Sequence, residues 1–293
     1  MRGTFTAEGD SNLLSFLFEK LPEVKRTKVR QWLKFNGVQV NGRVVAKATH
    51  ALHTGDVVTL EPKAKAAPAT GLPPGMRIIH EDASVIVIEK PAGLLSIATD
   101  KEQEATAYAK LTDYVRRTPK TREARIWIVH RLDRETSGLM VFARTEDAKR
   151  SLQTGWDLVE KRYLAVVDGI PKEPRGTLRS HLDETDSFRV RSTSQSENTR
   201  EAVTHYRLMR KAAHRSLVEL ILETGRRHQI RVQLAEIGCP IVGDPKYHPG
   251  KATGKRMALH ASSLKFPHPE TGVVMSFKSA LPGEIGSMME PGK

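Results

Sequence analysis

The segment IWIVHRLDRETSGLMVFA, residues 126–143, places a charged loop between two apolar runs. Both runs are short and rich in β-branched and aromatic residues, which predicts strands. A loop held at both ends by strands keeps its side chains in fixed positions, as catalysis requires. Asp133 lies between Arg131 and Arg134, and neighbouring cations favour the ionised form of a carboxylate. Such a carboxylate suits a nucleophile or a base, although the charge pattern alone favours a surface ion-pair loop.

The surrounding residues 76–282 predict an α+β unit. Apolar segments predict strands at 85–89, 126–129, 139–143, 163–167, 203–208, 216–222 and 273–278, and helices at 105–116, 148–155 and 229–237. Strands outnumber helices and do not alternate with them, so we expect a mixed, largely antiparallel sheet. The tail from Gly283 is expected to be frayed.

The N-terminal part predicts a smaller α/β unit. Helices are expected at 13–20 and 27–35 and a closing strand at 57–60, and Asn41-Gly42 is a strong signal for a tight hairpin. Residues 62–75 are rich in Pro, Ala and Gly without an apolar period, which indicates a linker. The expected organisation is therefore a domain at 1–61, a linker at 62–75 and a second domain at 76–293.

The charge balance indicates a polyanionic partner. The 293 residues include 47 Lys and Arg against 34 Asp and Glu, a formal net charge of +13. Nucleic acid is favoured over a membrane, because no apolar run approaches the ~18 residues of a spanning helix. The first residues lack an apolar signal-peptide core, so we expect a cytoplasmic protein, and a monomer.

No metal or cofactor is expected from the residue types. The single cysteine, Cys239, can form neither an internal disulfide nor a cysteine-rich zinc site. His130, His228 and His260 lack the spacing of zinc ligands, and isolated histidines of this kind are more often structural or face RNA.

Two stretches concentrate the positive charge. Residues 1–66 hold 11 Lys and Arg against 6 Asp and Glu, with Arg26, Lys28 and Arg30 on the second helix. Residues 225–256 hold seven Lys and Arg against two acids, including the loop 246–256, and predict an RNA-binding rim. The helix pair, the segment RTKVRQWL and the hairpin VQVNG resemble the S-four RNA-binding domain. A solvated charged face is the alternative.

The charged loop and four other segments resemble, in the same order, the motifs of the RluA-type pseudouridine synthases. HRLDRETSGL at 130–139 resembles the family signature; the others are IEKPAGL at 88–94, KRYLA at 161–165, TGRRHQIR at 224–231 followed by GDP at 243–245, and LHA at 259–261 followed by FPHP at 266–269. One motif could match by chance, but five in order make chance a poor explanation.

The resemblance implies isomerisation of uridine to pseudouridine in RNA without a cofactor or metal. It makes Asp133 the essential carboxylate, Tyr163 the active-site tyrosine that stacks on the flipped base, and Arg231 the basic partner of Asp133. Whether the carboxylate attacks the uracil ring or the sugar stays open. For Arg131, filling the gap left by the flipped uridine and binding a phosphate are both consistent, and Arg226 and Arg227 are expected to bind phosphate.

The chain departs from the family pattern at two places that leave the RNA target open. Many relatives carry His-Pro where this chain has the segment 95–100, and many carry His in place of Gln233. The N-terminal unit favours large-subunit ribosomal RNA, with transfer RNA as the nearest alternative. A non-catalytic RNA-binding ribosome-assembly factor is the alternative from another class.

Overall fold

The computed structural model describes residues 3–34, 38–45, 47–60, 72–100, 102–117, 125–186, 188–248 and 256–290. The chain divides into two compact units, Met1–Thr70 and Gly71–Lys293. Most of the predicted linker 62–75 and most of the predicted basic loop 246–256 lie outside the described residues.

The first unit combines two helices with a small antiparallel sheet. Its helices are α1 (Leu13–Lys20) and α2 (Arg26–Lys34), and its strands are β1 (Gly3–Thr6), β2 (Ser11–Asn12), β3 (Val38–Val40), β4 (Arg43–Val44), β5 (Ala51–Leu52) and β6 (Val57–Leu60). The sheet has the order β1-β6-β3-β4, and β2 pairs with β5. Helix α1 begins at its predicted residue because the Asn12 side chain accepts a hydrogen bond from the Ser15 amide, at 2.9 Å.

The core of this unit joins the helices to the sheet. Leu17 and Val29 from the helices are buried in one cluster with Val58 from β6. The predicted hairpin is present, since Asn41 (φ 49°) and Gly42 (φ 76°) both adopt the left-handed conformation that a two-residue turn requires. The turn connects β3 to β4.

The second unit is built on a long sheet. Its strands are β7 (Arg77–Glu81), β8 (Val85–Lys90), β9 (Trp127–Ile128), β10 (Ser137–Ala143), β11 (Glu160–Asp168), β12 (Arg175–Asp183), β13 (Arg191–Thr193), β14 (Thr199–Lys211), β15 (Arg215–Leu222), β16 (Leu259–Pro267) and β17 (Val274–Lys278). Its helices are α3 (Ala107–Arg117), α4 (Glu146–Thr154), α5 (Gln229–Glu236) and α6 (Gly283–Ser287), with a 3-10 turn at Trp156–Leu158.

The sheet order is β13-β12-β14-β15-β11-β16-β10-β8-β7, with β17 added to β16 and β9 to β10. Among the strand pairs of the described residues, only β10 with β16 is parallel. Alternate residues of β8 and β10 enter two cores, one shared with α3 and α5 and the other with α4. Burial on both faces explains why β10 is an unbroken apolar run. The predicted mixed, largely antiparallel sheet is confirmed.

The parallel pair brings the charged loop beside β16. Gly138 has φ 121°, and a Cβ there would lie 2.2 Å from the carbonyl oxygen of Ala261. Only glycine permits this approach. The loop that precedes β10 is therefore fixed against a strand more than a hundred residues away in the chain.

The structure corrects several sequence-based expectations. The segment 126–129 forms only the two-residue strand β9, and β7, β12 and β16 are strands that the pattern did not predict. The tail from Gly283 forms α6 instead of fraying, because Ile285 and Met289 are buried in the main core. Among the described residues, no helix has the length and apolar character needed to span a membrane.

Candidate active site

The loop between β9 and β10 is clamped by the segment that follows β8. The Ser96 hydroxyl donates to the Leu132 carbonyl at 2.7 Å and accepts from the Leu132 amide at 3.0 Å. The Gly93 amide donates to the Arg134 carbonyl at 2.7 Å. These bonds fix the backbone on both sides of Asp133, so the carboxylate is held on a rigid support.

Lys90, at the end of β8, supports the clamp from below. Its side chain is buried, and Nζ donates to the carbonyls of Leu94 at 2.7 Å and Pro91 at 3.0 Å. Burial lowers the pKa of Lys90 to about 7, although the charges of Asp133 and Glu135 act in the opposite direction. Lys90 thus connects the Lys-Pro segment to the carboxylates of the charged loop.

Arg231, on α5, is the basic centre of the site. Its Nη1 donates to Asp133 Oδ2 at 3.0 Å and lies 3.7 Å from Glu135 Oε2. On its other side, Nε donates to Asp244 Oδ2 at 2.7 Å and Nη2 donates to Asp244 Oδ1 at 2.9 Å. Arg231 is 1% exposed and Asp244 is fully buried. Three carboxylates therefore surround one buried guanidinium, and only Asp244 holds it in a bidentate pair.

Electrostatics keep this pair ionised. Burial opposes the charged form of Arg231, but the hydrogen bonds and charge of Asp244, followed by those of Asp133, raise its pKa. Burial likewise opposes ionisation of Asp244, yet the bonds from Arg231 and from the amides of Lys246 and Tyr247 lower its pKa. Asp133 is the more accessible carboxylate, with a side chain 20% exposed.

Tyr163 lies on β11, next to a register shift between Arg162 and Tyr163. It lines one cleft together with Asp133, Leu222, Arg231 and Leu259. Burial, followed by the charge of Asp133, raises the pKa of Tyr163. The phenol therefore keeps its proton at neutral pH, and the tyrosine can offer a ring face and a hydrogen-bond donor.

His228 and Tyr247 complete the surroundings of Asp133. His228 precedes α5 with φ 55°, and its Nε2 lies 3.9 Å from Asp133 Oδ2. Its Nδ1 lies 2.9 Å from the Tyr247 hydroxyl. The guanidinium carbon of Arg231 lies over the Tyr247 ring, 5.3 Å from its centroid. Tyr247 thus contacts both side chains that approach the carboxylate.

The residues predicted to bind RNA are distributed over three places. Arg131 and Arg226 line the cleft of Asp133. Arg227 does not line it; its guanidinium donates to the carbonyls of Glu184 and Asp186 and so braces that loop. The other three predicted residues, Arg26, Lys28 and Arg30, are exposed on α2 of the first unit.

Sequence reasoning missed four side chains of the site. Asp244 stands in a quoted motif, but nothing in a single sequence shows that it faces Arg231. Lys90 was quoted in the same way, His228 was weighed only as a metal ligand, and Tyr247 gave no signal. The described residues hold no group of three or more His, Cys, Asp or Glu side chains suited to a metal ion.

The comparisons with known proteins point in one direction. A family model described as RNA pseudouridylate synthase matches residues 84–236. The uncharacterized RNA pseudouridine synthase YlyB of Bacillus subtilis (strain 168) is 36% identical over 94% of this chain and 92% of that protein. Ribosomal large subunit pseudouridine synthase D of Neisseria meningitidis serogroup A is 34% identical over 92% of this chain and 75% of that protein. The solved structure of human RNA Pseudouridylate Synthase Domain Containing 4 has a TM-score of 0.62 and 26% identity, covering 72% of this chain and 92% of that one.

Proposed function

The chain belongs to the RNA pseudouridylate synthase family and is an isomerase, and from this premise we propose that it converts uridines of large-subunit ribosomal RNA to pseudouridine with Asp133 as the essential carboxylate. The family resemblance drawn from the motifs is thereby confirmed. The S-four character of the first unit, the RNA target and the residue roles are parts of the proposal.

The observation that carries the proposal is the setting of Asp133. The carboxylate lies in a cleft, hydrogen-bonded to a buried Arg231 that Asp244 orients from the far side, with Tyr163 on the wall. Buried support of a partly exposed carboxylate is wasteful for a surface ion pair, since exposed pairs contribute about 0–1 kcal/mol. It suits a group that must react in a fixed orientation.

The chemistry requires such a carboxylate. Isomerisation breaks the bond between the sugar C1′ and N1 of uracil, rotates the base and joins C1′ to C5. The C5 proton leaves and N1 gains a proton, so no electrons are exchanged with a cofactor. Asp133 can act as nucleophile, towards the ring or the sugar, or as a base for a ring or sugar proton. Arg231 keeps it ionised and oriented for either role.

Tyr163 and Arg131 are proposed to hold the reacting nucleotide and its surroundings. A uridine must leave the RNA stack to reach Asp133, and an aromatic face stabilises a flipped base. Tyr163 supplies that face while its protonated hydroxyl remains a donor. Arg131 is exposed at the same cleft, where it can occupy the space that the uridine leaves or bind a neighbouring phosphate.

Large-subunit ribosomal RNA is favoured by the relatives and by the charge of the first unit. Several of the similar proteins are named ribosomal large subunit pseudouridine synthase D. On α2, Arg26 and Arg30 lie over the Phe18 ring at 5.2 and 5.6 Å from its centroid, so an aromatic group and two cations form one exposed surface. Such a surface suits a nucleic acid. A ribosomal substrate would place the reaction in the cytoplasm.

The test compares pseudouridines in ribosomal and transfer RNA from cells with the gene, without it, and with Asp133→Asn in its place. We expect at least one ribosomal site to be lost in both altered strains and restored by Asp147→Asn, a change at a side chain 94% exposed on α4. Loss confined to transfer RNA would replace the proposed target. Full modification by the Asp133→Asn protein would contradict the proposed role of the carboxylate.

A further inference from the structure

We propose that His228, held by the Tyr247 hydroxyl, is a positioning residue that donates its Nε2 proton to Asp133, so that Oδ2 is anchored and Oδ1 is the oxygen that reacts. The proposal rests on the proposed function of Asp133. It assigns His228 and Tyr247 a part in the reaction.

His228 is fixed in place by its backbone and by its ring. A φ of 55° is unusual for a residue other than glycine and places the side chain at the first turn of α5. The side chain is only 10% exposed. Its ring meets the Tyr247 ring edge-on, with centroids 5.6 Å apart. The imidazole therefore has one direction available toward Asp133.

Tyr247 determines which nitrogen of His228 carries the proton. The Tyr247 hydroxyl accepts a hydrogen bond from the Val190 amide at 3.0 Å, and its own proton can go to Nδ1 of His228, 2.9 Å away. Burial, despite the charge of Asp133, lowers the pKa of His228 to about 4, so the ring is neutral and has one N–H. With Nδ1 as acceptor, that N–H is on Nε2, which faces the negative charge of Asp133.

Two donors then converge on one carboxylate oxygen. Arg231 Nη1 lies 3.0 Å and His228 Nε2 lies 3.9 Å from Asp133 Oδ2. Because a hydrogen bond has a length of about 2.9 Å, a movement of about 1 Å closes the second contact, and catalytic bonds often tighten only when substrate is bound. In the part of the chain that the structure describes, no donor is hydrogen-bonded to Oδ1. The arrangement therefore distinguishes the two oxygens and leaves Oδ1 for the uridine.

A purely structural role for His228 makes the opposite prediction about which substitution is tolerated. Asn adopts the left-handed backbone more readily than Gln, so a residue needed only for this turn is better replaced by Asn. The Gln amide nitrogen extends about as far as Nε2 of histidine, whereas that of Asn extends only as far as Nδ1. A residue needed as a donor to Asp133 is therefore better replaced by Gln.

The experiment measures single-turnover pseudouridine formation at saturating transcribed large-subunit ribosomal RNA, together with RNA affinity and melting temperature, for full-length His228→Gln, His228→Asn and Tyr247→Phe. We expect the Gln variant to react at least about tenfold faster than the Asn variant, the effect of one hydrogen bond to a charged group. Tyr247→Phe should lower the same rate in wild type and have little further effect beside His228→Gln, and RNA affinity should stay unchanged in all three.

An Asn variant that equals or exceeds the Gln variant would overturn the proposal, and so would wild-type rates in all variants. If His228→Gln does not fold, Tyr247→Phe decides, since it retains the ring beside Arg231; an unchanged rate then refutes the role. A wild-type protein that modifies no ribosomal RNA would instead contradict the proposed function, and the variants would then be compared on transfer RNA.

Discussion

Replacing Asp244 with Asn should destabilise the second unit more than replacing Asp133 with Asn, although only Asp133 is proposed to react. Asp244 is fully buried and makes both hydrogen bonds that orient the Arg231 guanidinium, at 2.7 and 2.9 Å. An Asn amide group at this position would point a donor at a donor. Arg231 would then keep its charge inside the protein with its main counter-ion removed.

The expected loss follows from the burial of the pair. Removing one partner of a buried ion pair costs about 3–5 kcal/mol of unfolding free energy. An Asn oxygen can still accept from the amides of Lys246 and Tyr247, which now bond to Asp244 Oδ1 at 2.8 and 3.1 Å, so we expect about 3 kcal/mol. Asp133 makes one bond to Arg231 and is partly exposed, so its replacement should cost less than about 2 kcal/mol.

Urea unfolding followed by tryptophan fluorescence measures the difference. A Trp32→Phe background leaves Trp127 and Trp156 as reporters, both in the second unit. Asp147→Asn, at an exposed side chain, serves as the control and should stay within about 0.5 kcal/mol of the parent. An Asp244→Asn protein within about 1 kcal/mol of the parent, or one more stable than Asp133→Asn, would refute the reasoning from burial.

Three further predictions concern binding, cofactors and pH. Deleting residues 1–66 should weaken RNA binding more than it slows a saturated reaction, and should flatten log affinity against log salt by about 0.7–0.9 per lost phosphate contact; an unchanged slope means that α2 does not face RNA, and an unfolded product means that the domain boundary is wrong. Activity on prefolded RNA should survive EDTA because the isomerisation needs no Lewis acid, with magnesium effects on RNA folding controlled separately; restoration by zinc of a lost activity would contradict this. Burial lowers the pKa of His260 to about 4, so between pH 6.5 and 4 the unfolded chain binds a proton that the folded chain refuses, and stability falls with pH by up to about 3 kcal/mol; His260→Asn should remove most of that slope in acid unfolding curves, and an unaltered slope would exclude His260 as its source.

The parts of the fold that local patterns determine were predictable. The run 139–143 is apolar throughout and became the buried strand β10, and Asn41-Gly42 specified a hairpin through its backbone preference alone. By contrast, β12 has polar side chains on both faces and is held mainly by pairing with β14, so no periodicity revealed it. The same holds for α6, whose five residues are anchored by tertiary burial rather than helix propensity.

The candidate site divides in the same way. Asp133, Tyr163 and Arg231 were proposed from motifs, and the structure brings them to one cleft. The roles of Asp244, His228 and Tyr247 depend on contacts between side chains far apart in sequence or on a left-handed backbone at a helix start. Neither kind of information is present in residue spacing. Arg227 illustrates the converse, since an arginine expected to bind phosphate uses its guanidinium on backbone carbonyls.

The parallel pairing of β10 with β16 also determines the order in which a newly made chain can mature. The first unit has all its strands by Leu60 and can fold while translation continues. Asp133 emerges early in the second unit, but Ser137 pairs with His260, so its support is incomplete until nearly the whole polypeptide has left the ribosome. A premature stop anywhere before Leu259 would release a product that carries the basic helix and the aspartate yet lacks β16. The nascent enzyme is thus able to dock before it is able to act.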